Sequence, residues 1–150
     1  MNLIFIEQKD RDNNVLDILL KVWESSVRDT HVFLSENNIR DLIPKVKEGI
    51  KIIEKLFVII DETNTYCAFM GISKNKIEML FVGAEFRGKG IGRKLINYAI
   101  DILNVLYVDV NEQNDQAIGF YKKYGFRLLN RSEQDDYRNL FPILHLGRIK

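Results

Sequence analysis

The sequence predicts a mixed α/β fold, a β-sheet with helices on its faces, and three observations carry that prediction. From Leu56 to Val82, three β-rich runs (LFVIID, YCAFMGIS and IEMLFV) follow one another through the short polar links ETN and KNK, the pattern of an antiparallel meander. On either side of the meander, apolar residues recur at helical spacing, as in Leu95, Ile96, Ala99, Ile100 and Leu103. No linker, repeat or low-complexity tract interrupts the 150 residues, so residues 1–150 form a single domain.

The elements follow in order. LIFIE, residues 3–7, reads as a short strand. Val15, Leu16, Leu19, Leu20, Val22 and Trp23 form the apolar stripe of a first helix, with Asn13 or Asn14 placed to cap it. RDTHVFL breaks that pattern, and a second helical region runs from Ser35 to about Leu56. Pro44 should break or restart it, because proline removes a donor and crowds the preceding turn. After the three meander strands a glycine-rich stretch leads into the third helix, whose wet face is Lys94, Asn97, Tyr98 and Asp101. VLYVDV, residues 105–110, is a strand. NDQAIGFYKKYG is a short helix, with Asn114 as N-cap and Gly125 at a left-handed C-terminal position. FRLLNR and FPILHL close the sheet, giving the order β-α-α-β-β-β-α-β-α-β-β.

Composition limits the function classes. With 46% hydrophobic and 29% charged residues the chain has the make-up of a soluble globular protein. Lys+Arg 22 against Asp+Glu 21 leaves a net charge of +1, so nucleic acid is not an expected partner and any basic patch must be local. The single cysteine, Cys67, excludes an internal disulfide and a multi-cysteine zinc site, and its apolar surroundings point to packing. The two histidines, His31 and His145, are far apart and lack a spaced carboxylate pair, so no metal is expected. MNLIFIEQKD has no basic leader, and no run nears the roughly 18 apolar residues of a membrane span, so the expected compartment is the cytoplasm and no membrane partner is expected. Oligomeric state is open, a homodimer included.

EFRGKGIGRKL, residues 85–95, combines a glycine-rich turn with positive charge just before a helix, where unpartnered backbone N–H groups and the helix dipole favour an anion. A tight turn with solvated lysines is the plainer reading. A Walker loop requires Gly-Lys-Ser/Thr, but Gly90 follows Lys89. A dinucleotide loop requires a third glycine where Arg93 stands, although Asp109 lies at the right distance for its acidic residue. The remaining pattern is R-x-x-G-x-G, met by Arg87, Gly90 and Gly92.

That loop resembles the coenzyme A pyrophosphate loop of the GNAT N-acetyltransferases. Downstream, VDVNEQNDQAIGFYKKYGFR resembles the second signature of the same family, a strand, an asparagine-bearing turn and a helix ending F-Y-x-x-x-G-F, here Phe120, Tyr121, Gly125 and Phe126. WESSVRDTHVFLS and RSEQDDYRNLFPILHL resemble the bacterial YjaB-type branch, so the likeness covers nearly the whole chain and is weakest over the first twenty residues or so. The resemblance implies the GNAT fold: a mixed, mostly antiparallel sheet of about seven strands, flanked by about four helices, with two strands splayed into a slot for acetyl-CoA. It implies transfer of the acetyl group from acetyl-CoA to an amine, either a protein or peptide lysine or a small molecule. A non-catalytic acetyl-CoA-binding module and a dinucleotide-binding oxidoreductase are the alternatives.

Site residues follow from the same resemblance. Backbone N–H groups along Leu80, Phe81 and Val82, freed by a β-bulge, would hold the thioester and pantetheine. Residues 87–92, that is Arg87, Gly88, Lys89, Gly90, Ile91 and Gly92, would take the pyrophosphate without a metal. Tyr121 would hydrogen-bond or protonate the leaving sulfur; as a packing aromatic it would share a helix face with Ala117 and Tyr124. A tyrosine pKa of about 10 against about 8.5 for a thiol makes full proton transfer uphill by roughly 2 kcal/mol. Asn114 would cap its helix, bind the pantetheine amide, or do both. Glu78, which alternation places with Leu80 and Val82, is a candidate base or a solvated carboxylate. A base has a task, since neutralising a lysine-like amine costs about 4–5 kcal/mol at pH 7. Trp23, His31 and Phe33 are candidate acceptor contacts, with core packing and capping as their plainer readings. His145 is read as structural or as a pocket-rim residue. The acidic EQDDYRN, residues 133–139, would favour a cationic acceptor if it overhangs the cleft.

Overall fold

A computed structural model of the chain describes residues 1–135 and 139–149. Seven strands and four α-helices follow in the expected order: β1 (Asn2–Ile6), α1 (Asn13–Thr30), α2 (Glu36–Ile52), β2 (Lys55–Ile60), β3 (Tyr66–Ser73), β4 (Lys76–Val82), α3 (Ile91–Asp101), β5 (Tyr107–Asn111), α4 (Asp115–Lys123), β6 (Arg127–Ser132) and β7 (Ile143–Gly147). The strands form one sheet in the order β1-β2-β3-β4-β5-β7-β6, antiparallel throughout except between β4 and β5.

The central strands are apolar without a break because both faces of the sheet are covered. Leu56, Val58 and Phe69 pack against Leu16, Leu19, Trp23, Ile39 and Ile50 of α1 and α2. Phe57, Ile59, Ala68 and Met70 join Ile91, Leu95, Ile96 and Ala99 of α3 and Tyr121 of α4 on the other face.

Several local expectations are corrected. Asp12, not Asn13 or Asn14, caps α1, its Oδ1 accepting from the Val15 N–H at 2.9 Å. α2 runs unbroken through Pro44 and ends at Ile52, four residues before Leu56. Its buried Ile39, Val46 and Ile50 lie on both sides of the proline, so packing holds the helix across the missing donor. Its start is a capping box between Ser35 and Asn38. Tyr98 is not on the wet face of α3, since its ring meets Phe57 edge-on at 5.3 Å.

The end of α2 has a partner the sequence did not announce. Arg11 is only 4% exposed. Its guanidinium donates to the carbonyls of Ile50, Lys51 and Ile53 at 3.1, 3.1 and 2.6 Å, and to that of Ile6 from Nε and Nη2. One buried cation thus satisfies the last turn of α2 and ties it to β1.

Candidate active site

β4 and β5 pair in parallel at only two positions, Lys76 with Tyr107 and Ile77 with Val108. Beyond them the strands diverge, and the edge of Glu78 to Val82 that faces β5 looks into a gap. The register between β3 and β4 slips here: Gly71 faces Met79 while Ile72 faces Ile77, so Glu78 is the extra residue of a β-bulge. The bulge therefore lies before Leu80–Val82 and not within it, and the splay is what frees the strand edge there. Alternation fails across it as well. Ile77 packs into the same cluster as Leu80 and Val82, whereas Met79 and Phe81 pack into the other.

The gap widens into a cleft of about 460 Å³. Glu78, Leu80, Phe81 and Val82 line it on one side, Asn114 and Tyr121 on the other, and Arg87, Gly88, Gly90, Ile91 and Gly92 at its end. Lys89 is not in the wall; its ammonium lies 5.7 Å over the Phe86 ring. At the cleft's end Gly88 and Gly90 have φ of +74° and +78°, backbone that glycine adopts at little cost. The N–H groups of residues 88–93 make no hydrogen bond to described residues. A row of unpartnered donors at the start of α3 is a seat for an anion.

Arg87 lines the cleft and is also held from behind. Its guanidinium turns toward α1, with Nε 2.9 Å from Asp29 Oδ2 and Nη2 donating to Ser26 Oγ at 3.0 Å. The Nε contact is an ion pair without the angle of a hydrogen bond. Ser25 Oγ accepts from the Ala84 N–H at 3.1 Å, so α1 braces the loop at two points. Those serines were visible in WESSVRD, but only the tertiary contact reveals their task.

Asn114 caps α4 through Oδ1, which accepts from the Ala117 N–H at 3.2 Å, and its side chain also reaches the cleft. Gly125 has φ +95°, as a left-handed helix end requires. Tyr121 is 6% exposed and packs edge-on against Phe120 and Phe126 at 5.3 and 5.8 Å. It is both core aromatic and cleft wall, and burial pushes its phenol above the ordinary tyrosine range.

A second cavity, of about 230 Å³, lies between the sheet and α1 and α2. Trp23, Phe33, Met79, Phe81 and Phe141 give it apolar walls, and Glu78, Asp109 and Asp135 bring carboxylates. His31, Glu78, Met79, Phe81, Asp109 and Asn111 line both spaces, so the two adjoin at the splay. Trp23 and Phe33 thus border the second cavity alone, and His31 the junction. Trp23, 3% exposed, is a core residue as well. Of the acidic stretch EQDDYRN, residues 136–138 lie outside the described residues, and Asp135 is the member that borders a cavity.

Asp109 has a task the sequence left unread, and His145 stands in a hydrogen-bonded chain, in line with its structural reading. Asp109 Oδ2 lies 2.5 Å from Lys76 Nζ, and Oδ1 lies 2.7 Å from His145 Nδ1. His145 Nε2 is 2.7 Å from Ser132 Oγ, and Lys76 Nζ is also 3.6 Å from Glu78 Oε1. A polar chain therefore crosses four neighbouring strands and ends at the junction. Cys67 is fully buried and burial raises its pKa. Among the described residues no group of three or more His, Cys, Asp or Glu side chains could hold a metal ion, and no helix is long and apolar enough to cross a membrane.

The acetyltransferase (GNAT) domain family matches residues 53–128, which hold β4, the glycine loop and the Tyr121 helix. The chain belongs to the GNAT acetyltransferase family. It is an N-acetyltransferase by that membership. The peptidyl-lysine N-acetyltransferase YjaB of Escherichia coli strain K12 is 36% identical over 138 residues, spanning 87% of this chain and 88% of that protein. The solution structure of apo-form YjaB from Escherichia coli superposes with a TM-score of 0.83 at 33% identity, covering 99% of each chain. The crystal structure of the PaiA N-acetyltransferase of Thermoplasma acidophilum in complex with coenzyme A shares the fold, at a TM-score of 0.64 and 20% identity over 97% of this chain and 98% of that one. The seven-stranded sheet with four helices is thus the GNAT fold that the two signatures implied.

Proposed function

We propose that this GNAT protein transfers the acetyl group of acetyl-CoA directly to a lysine side chain of a protein or peptide, with both substrates bound at once. The observation that carries the reading is the meeting of two unlike spaces at the β4–β5 splay. One runs from an N–H-lined anion seat to Tyr121, and the other has aromatic walls and carboxylates. A lysine fits the second by its chemistry, with a tetramethylene stem for the apolar wall and an ammonium for Glu78 and Asp109. The naming of YjaB as a peptidyl-lysine N-acetyltransferase supports the same acceptor.

In this reading the loop backbone of residues 88–92 takes the pyrophosphate, and Arg87 holds the loop to α1 as well as facing the anion. Leu80, Phe81 and Val82 present backbone to the thioester and pantetheine. Asn114 caps α4 and offers its amide nitrogen to the pantetheine. Tyr121 donates a hydrogen bond to the departing sulfur. Glu78, Asp109 and Asp135 make the acceptor side acidic, the first two while also holding Lys76, and so favour an acceptor that arrives as a cation. Buried Cys67 supports direct attack, because an acetyl-cysteine would need an exposed thiolate. The compartment assigned by this reading is the cytoplasm, which supplies acetyl-CoA.

Release of free thiol from acetyl-CoA, with mass-spectrometric location of the acetyl group, tests it. Lysine peptides should be acetylated on Nζ. Turnover with polyamines or other small amines alone would overturn the peptide acceptor, and stabilisation by NAD instead of acetyl-CoA would overturn the cofactor.

A further inference from the structure

His31 stands at the junction of the two spaces and its proton is placed by its neighbours. It follows α1 directly, with its backbone N–H donating to the Val27 carbonyl at 2.7 Å. Thr30 Oγ donates its one proton to the Ser26 carbonyl at 2.9 Å and lies 2.8 Å from His31 Nδ1. A hydroxyl proton already given to a carbonyl cannot also serve Nδ1, so both contacts are satisfied only if Nδ1–H donates to Thr30. Nε2 is then the nitrogen with the lone pair, and it makes no hydrogen bond to described residues. The ring packs 5.4 Å from Phe33, which in turn packs 5.5 Å from Phe141.

The charges around it are Arg87, paired with Asp29, on the cofactor side, and on the cavity walls Asp135 with Glu78 and Asp109, the last two both beside the Lys76 ammonium. Tyr121 lines the same cleft. Burial holds the imidazole down to about 4, and the Arg87 cation adds to the effect, so the ring is neutral at neutral pH.

We propose that His31 Nε2 is the base that takes the proton from the attacking amine, an assignment that rests on the acetyl-transfer reading above. The bound ammonium first loses a proton to solvent; the neutral amine then attacks the thioester carbon, a C–N bond forms, and the carbonyl π pair moves to oxygen. The nitrogen now carries a positive charge and gives one proton to His31 Nε2. The oxygen pair reforms the carbonyl, the C–S bond breaks, and the thiolate leaves beside the Tyr121 hydroxyl to be protonated from solvent. The imidazolium returns its proton to solvent as the products depart. A weak base suffices, because a nitrogen bonded to a carbon bearing oxygen and sulfur is a far stronger acid than the parent ammonium. Coenzyme A phosphates beside Arg87 would offset its charge, so His31 becomes more basic once the cofactor is bound.

Three readouts test this. Ring ¹⁵N NMR of the whole protein, with the two histidines told apart by His145→Gln, should show His31 protonated on Nδ1 and its pKa moving up when coenzyme A is added. An Nε2-protonated ring, or a pKa unmoved by coenzyme A, overturns the proposal. With acetyl-CoA and a lysine peptide, His31→Phe, which keeps a ring against Phe33, should lower kcat about a hundredfold or more while acetyl-CoA affinity stays within about twofold. Thr30→Val, which releases the tautomer, should lower kcat about tenfold. The acidic limb of the pH–rate profile should vanish in His31→Phe and persist in Glu78→Gln; the reverse pattern assigns the base to Glu78. Should His31→Phe fail to fold, the tautomer and Thr30→Val decide. A wild type inactive on every amine would overturn the acceptor reading, while the NMR result still judges His31.

Discussion

Tyr121 packs in the core and lines the cleft, and burial bears on which of its proposed chemical roles the phenol would take. A phenol already above the ordinary tyrosine range is further from thiol acidity than the roughly 2 kcal/mol separating the free groups, so a hydrogen bond to the developing thiolate is favoured over full donation. Tyr121→Phe should lower kcat ten- to hundredfold and leave acetyl-CoA affinity within about twofold, read by thiol release and calorimetry. An unaltered kcat would take Tyr121 out of the mechanism. At His31 the folded value of about 4 lies below the unfolded value of about 6.5, so the unfolded chain binds the proton first as pH falls. The stabilisation is complete above pH 6.5 and is lost as pH drops toward 4. Between pH 7 and 4.5 wild type should lose about 2–3 kcal/mol that His31→Phe does not lose, measured by urea unfolding at both values. Equal losses in the two proteins would contradict the half-buried neutral ring.

Among the elements, α2 depends on a residue outside itself. Arg11→Leu leaves the carbonyls of Ile50, Lys51, Ile53 and Ile6 without their shared donor, and the expected cost is about 3 kcal/mol or more, seen as a lower urea midpoint at unchanged m-value. A change under about 1 kcal/mol would mean that water replaces the guanidinium. This is the kind of fact a sequence conceals, because Arg11 and the end of α2 are some forty residues apart. The sequence of elements and the β2–β4 meander were legible, since LFVII and YCAFMGI are continuous apolar runs bounded by turn residues. The Asn114 cap and the left-handed Gly125 were legible too, each within a short local pattern. Pro44 misled because the helix is held by contacts on both sides of it, and the Glu78 bulge because alternation assumes an unbroken ladder. The braces Ser25, Ser26 and Asp29, and the chain from Lys76 to Ser132, join segments that meet only in the fold.

For the molecule as a whole, the sheet is two leaves, β1–β4 and β5–β7, hinged at two residue pairs with a cleft between them. A ligand filling the gap touches both leaves, so it should stabilise the entire cooperative unit. At a hundred times its Kd, acetyl-CoA should add about 2.7 kcal/mol and raise Tm by roughly 5–10 °C, with no shift from NAD at the same concentration. A Tm unmoved by acetyl-CoA would mean that the cleft does not take it. The separate placing of the two spaces also governs traffic. With the two substrates placed as proposed, the carrier's path would run between α3, α4 and the end of α1, and the acceptor's by α1 and α2, so neither molecule would have to pass the other. On the proposed assignment the spent carrier would be exchanged while the acetylated chain is still seated, and a long polypeptide would be modified without being threaded through the enzyme.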